Sequence, residues 1–106
     1  MSNPTHTEKL YWSRLVSTVG CIACRIEQNI VNTYCSIHHI DGRTKPGAHM
    51  NVLPLCGPHH QTGGEGVAIH PFKRQWEARF GKQEALKATC DQILSEQGLF
   101  NGNRTR

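Results

Sequence analysis

The chain has no apolar run long enough for a signal peptide or a membrane span. It has no internal repeat and no low-complexity segment either. A membrane is therefore not expected among its partners. Hydrophobic residues are scarce, at 37% of 106. That length makes one domain. It buries only part of its surface, so the core is modest and a metal staple would help it. Charge of one sign is also in short supply: 12 Lys plus Arg stand against 8 Asp plus Glu, a net +4. This mild basic bias permits a polyanionic partner without requiring one. The five cysteines are an odd count and give little support to a disulfide framework. Zinc thiolates in a reducing compartment, the cytoplasm, fit better.

What is present begins with a capping box, Thr5-His6-Thr7-Glu8. Leu10, Tyr11, Leu15, Val16 and Val19 follow at helical spacing, and Gly20 is placed to end that helix. Ile26, Ile30 and Val31 leave 25–33 open between a helical turn and an extended arm. Tyr34 to Ile40 reads as a strand, 41–47 as a basic loop, and Asn51 to Leu55 as a second short strand. Pro58 suits the first position of a short helix carrying His59 and His60. Another helix opens at His70-Pro71 with Phe72, Trp76 and Phe80 on one face. The last spans Gln83 to Gln97, with Leu86, Cys90, Ile93 and Leu94 inward and Gly98 as its stop. The expected class is α+β, a two-stranded ribbon and a short helix around zinc, flanked by N- and C-terminal helices. Residues 1–100 form the domain, its core at about 20–65, and 101–106 form a flexible tail.

Cys21-x-x-Cys24 and Cys56-x-x-His59 carry the strongest signal. Two residues between donors let both face one ion, and four soft donors make a closed tetrahedral structural site. Cys90, on an apolar helical face, reads as core. Cys35 reads as core or as a spare ligand. Histidines remain in surplus. His38 and His39 adjoin on one strand and point to opposite faces, which suits different tasks. His60, at the start of the next helix, can reach back over the ribbon. Asn51 is either a turn residue or a side-chain brace for the loop that carries His39. Asp41 either orients an imidazole, ligates a metal or caps the Gly42 turn. His6 is expected in solvent.

These residues resemble a known family. His38-His39 followed by Asn51, Leu55-Cys56, and His59-His60 is similar to the HNH endonucleases of the ββα-metal, treble-clef-like fold. More narrowly, several blocks recur in order in the phage recombination-enhancement nucleases of the Ref type. They are Ile37-His38-His39, Pro54-Leu55-Cys56, His59-His60-Gln61-Thr62-Gly63, Gly66-Val67-Ala68-Ile69-His70 and Trp76-Glu77 with Phe80-Gly81. The resemblance implies a DNA endonuclease that acts in phage-type homologous recombination and depends on the RecA filament. It implies His39 as general base, His38 and His60 as ligands of a catalytic Mg2+ or Mn2+, and Asn51 as the middle Asn. Many HNH enzymes have Asp where His38 stands, and His59 replaces the usual second Cys. Histidines recur near 49 and 70 in the family, so a second zinc drawn from His38, His49, His60 and His70 is compatible with the pattern. Taken singly, His49 and His70 read equally well as surface or core residues.

Arg43, Lys45, Lys73, Arg74, Arg79 and Lys82 are candidates for phosphate contacts or simply a solvated basic surface. No residue reads bases, so weak sequence specificity is expected. The rival reading is a non-catalytic, zinc-stabilised adapter for DNA or a recombinase. Cleavage of RNA by the same centre is a third. A bare zinc module has no use for His38, His39 and His60 together, which favours the enzyme.

Overall fold

Thr5 starts the first helix, α1 (His6–Arg14), in the computed structural model, which describes residues 3–100. The tail expected at 101–106 lies outside the described residues. Both arms of the capping box form: the Thr5 hydroxyl accepts from the Glu8 N–H at 3.1 Å, and the Glu8 carboxylate accepts from the Thr5 N–H at 2.7 Å. The helix widens into a π-helical turn, Leu15–Val19, and stops at Gly20. The buried stripe runs Tyr11, Leu15, Val19, at i, i+4, i+8. Leu10 lies off its edge and is 41% exposed, contrary to expectation, while Trp12 packs against the core.

Gly20 turns the chain at φ +72, and a Cβ there would sit 2.7 Å from the Asn32 backbone nitrogen. Only glycine suits both conditions. The next residues form α2 (Ile22–Gln28), which ends on left-handed Asn29. The ambiguous stretch 25–33 is thus part helix and part irregular arm. Two strands follow, β1 (Cys35–His39) and β2 (Val52–Cys56), paired antiparallel with His38 opposite Leu53 and His39 opposite Val52. All five residues of β2 are buried, because the strand packs against the Leu15–Val19 turn, α2 and α4 (Gln83–Glu96). Pro54 is tolerated because a two-stranded sheet has only edge strands.

The helix expected at Pro58 is a single π-helical turn, Pro58–Thr62. The helix expected from His70 begins later, as α3 (Lys73–Phe80). Its start is delayed because the chain at 69–70 is hydrogen-bonded alongside 59–60, Ile69 N–H to His59 O and His70 N–H to His60 O, both 3.0 Å. Trp76 and Phe80 are buried, whereas Phe72 sits at the N-cap, half-buried. Helix α4 turns Leu86, Cys90 and Leu94 inward, and its buried Asp91 accepts from the Tyr11 hydroxyl and pairs with Lys87 at 2.7 Å. The result is a small α+β protein consistent with a ββα-metal-like fold. Among the described residues, no helix is long and apolar enough to cross a membrane.

Candidate metal centre and histidine cleft

Three local structures deliver one cluster of donors. Cys21 caps α2 and Cys24 lies in its first turn, Cys56 ends β2, and His59 stands in the Pro58–Thr62 turn. The Cys21 N–H donates to Asn32 O at 2.9 Å, and the Asn32 side-chain amide donates to Cys24 Sγ at 3.7 Å. Arg25 fastens the incoming turn through Thr18 O and Val19 O at 3.2 and 3.1 Å. His59 Nδ1 lies 3.5, 3.6 and 3.1 Å from the sulfurs of Cys21, Cys24 and Cys56, and the last two sulfurs are 3.9 Å apart. A tetrahedral ion with bonds of ~2.3 Å to sulfur and ~2.0 Å to nitrogen needs donor separations of roughly 3.5–3.8 Å. The observed spacings, 3.1–3.9 Å, bracket those values, and the four donors together could hold such an ion. Burial pushes the Cys21 thiol up to about 12 and raises Cys56 as well. A divalent cation reverses that preference by stabilising thiolate. Cys35 is outside the cluster, and Cys90 is fully buried in the core.

A second cluster lies on the other side of the Pro58–Thr62 turn. His38, His60 and His70 offer ligand nitrogens within 4.8 Å of one another. These are three of the four histidines that the family resemblance offers for a second metal; His49 is not among them. His70 reaches the cluster through the backbone pairing of 69–70 with 59–60, and Gly63 permits that return. A Cβ on Gly63 would fall 2.6 Å from Pro58 O and 2.5 Å from the Val67 side chain. His60 is braced by Ser36, whose Oγ is 3.3 Å from Nδ1. Burial, and then His70, lower the pKa of His60. His38 is 3% exposed, and burial pushes its pKa down to about 4, so it is a neutral donor.

Gln83 is a partner of the cluster that the sequence does not single out. It is 2% exposed, and its Oε1 lies 2.8 Å from His38 Nε2. Its amide nitrogen donates to the Glu77 carboxylate at 3.1 Å, which fixes the amide's orientation because an ionised carboxylate only accepts. His38 Nε2 therefore carries the ring proton, and Nδ1 keeps its lone pair. The available signal was a polar residue on the apolar stripe 83–86–90–94. Outer partners of this kind set ligand basicity and orientation. We expect Gln83→Leu to weaken binding of an ion at the three imidazoles by about 10–100-fold, measured by metal titration, with the thiol cluster unaffected.

His39 faces away from this trio. Its Nε2 is 3.0 Å from His49 Nδ1, and Arg43 Nη1 is 3.2 Å from its Nδ1. Burial, then Arg43 and His49, lower its pKa. His39 and His60 thus have different neighbours, yet both line one open cleft of about 360 Å³, with His38, His70 and Arg43. His49 stands with His39 and not with the His38 group. Asn51 supports the His39 loop through its main chain: its carbonyl accepts from the Ile40 N–H at 3.0 Å. Asp41 pairs with Lys45 at 3.9 Å and belongs to neither cluster; His6 is exposed. Arg79 is engaged by Glu27 at 2.7 and 2.8 Å and by Gly66 O, which leaves it less suited to phosphate than expected. Lys73, Arg74 and Lys82 border a separate cleft with Glu77.

The fold and the two clusters define a small α+β protein with a buried Cys/His cluster able to hold a metal ion and a separate imidazole-lined cleft. Residues 4–95 match the family described as recombination enhancement, RecA-dependent nuclease, and the chain belongs to that family.

Proposed function

We propose that this protein is a metal-dependent DNA endonuclease of the HNH type that hydrolyses phosphodiester bonds in recombination directed by a RecA filament. The observation that carries the reading is the shared cleft: His39 and the His38–His60–His70 group open onto one space. Phosphodiester hydrolysis needs a base for the attacking water and a cation for the departing 3′ oxygen.

In this reading Cys21, Cys24, Cys56 and His59 hold a structural Zn2+. Their role is architectural, since they join α2 to the end of β2 and so place the turn that carries His60. His38, His60 and His70 would hold the catalytic divalent ion, which when bound supplies Lewis acidity at the phosphate. His39 accepts the proton of the attacking water. Arg43 is exposed and reaches the rim of the cleft, where a guanidinium suits a phosphate oxygen. Asn51 keeps the His39 loop in register. Sequence choice is left to the filament.

An all-imidazole donor set favours a transition ion over Mg2+, which prefers oxygen. We expect supercoiled plasmid carrying a RecA filament to be nicked faster with Mn2+ than with Mg2+, and little without the filament. DNA bound and shielded without nicking under every ion would support the adapter reading instead. Parallel RNA substrates should remain intact.

A further inference from the structure

We infer that His49 is a positioning residue for His39: it accepts the proton on His39 Nε2 and so leaves the lone pair of Nδ1 facing the cleft. The inference rests on the proposed role of His39 as the base. It moves His49 out of any metal site.

The contacts decide the direction of the hydrogen bonds. Arg43 can only donate, so at 3.2 Å from Nδ1 it requires a lone pair there. A neutral imidazole has one ring proton, which then sits on Nε2. The partner of Nε2 is His49 Nδ1 at 3.0 Å, which must accept.

His49 is well placed to impose this. It is 4% exposed and lies in the short helical turn Ala48–Met50, entered through Gly47 at φ +77. The Trp12 indole N–H donates to the His49 carbonyl at 2.6 Å, and the indole meets the edges of both imidazoles, at 5.6 Å for His49 and 5.5 Å for His39. The two imidazoles are themselves packed edge-on at 5.2 Å. The acceptor is therefore fixed by α1 and by the loop turn. On the opposite side Arg43 is exposed, and its long side chain can reach from Nδ1 to an arriving phosphate. Only the Nε2 side is held by buried structure.

The test uses the whole chain with ring-15N-labelled histidine. His39 is expected to show the Nε2–H tautomer, with a proton on Nε2 protected from solvent exchange. His49→Asn places an amide oxygen near the position of Nδ1 and should keep both the protected proton and cleavage within a few-fold of the parent. His49→Phe keeps a ring but no acceptor. It should lose the protected proton and slow single-turnover cleavage by about 10–100-fold, with DNA affinity unchanged. An Nδ1–H tautomer in the unsubstituted protein would overturn the inference even if His49→Phe fails to fold. So would parental cleavage by His49→Phe. If His39→Ala cuts normally while the tautomer is as described, the base assignment fails and the contact stands.

Discussion

His39→Ala is expected to lower filament-dependent DNA cleavage by about 10²–10⁴-fold, the usual contribution of a positioned acid–base group. The structure limits what else that change could do. His39 is only half-buried, lies outside both metal-type clusters and makes no contact with the thiols. Metal content and thermal stability should therefore stay near the parent, and DNA binding should survive. Arg43 loses a partner but remains at the cleft rim, so the variant should still hold the phosphate. Cleavage at the parental rate would remove His39 from the reaction. A fall in rate accompanied by loss of metal would make it a structural residue instead.

Removal of the proposed structural ion from the thiol cluster should have the largest effect on the fold. Structural Zn2+ sites contribute roughly 10–16 kcal/mol in small modules. A typical domain is stable by only about 5–15 kcal/mol. The core of this chain is small and includes Cys21 and Cys56 themselves. Three buried or partly buried thiols stand beside one imidazole at spacings that could hold a metal ion. Strong chelators, or Cys56→Ala, should thus abolish the cooperative unfolding transition followed by circular dichroism, and Zn2+ should restore it for the unsubstituted chain. An apo protein that still melts cooperatively near the holo temperature would show that the apolar core suffices.

The parts of this structure that could be read from the sequence are the parts fixed by local rules. The Thr5–Glu8 capping box, the gathering of Cys21, Cys24, Cys56 and His59, and the inward face of α4 each depend on spacing along a few residues. The opposite facing of His38 and His39 follows from strand geometry alone. What escaped depended on the return of distant chain. By local signals His70 opens a helix, and only the family resemblance makes it a possible metal ligand, because nothing local reveals that the segment 69–70 lies alongside 59–60. Gln83 looked like a helix-start polar residue, because its partner His38 is far away in the chain. The family pattern offers His49 as a ligand, but its contacts with Trp12 and His39 place it with the latter. Leu10 shares the helical spacing yet is exposed, because periodicity does not say which edge of an apolar stripe the core will cover.

The measurement that bears most directly on the account is metal analysis combined with X-ray absorption on the chain loaded with Zn2+ and then with Mn2+. One tightly held zinc with sulfur-rich ligation is expected. So is an exchangeable second ion, bound through nitrogen and oxygen and lost in His60→Ala together with cleavage. A single zinc alone, with His38, His60 and His70 indifferent to every added ion, would contradict the account.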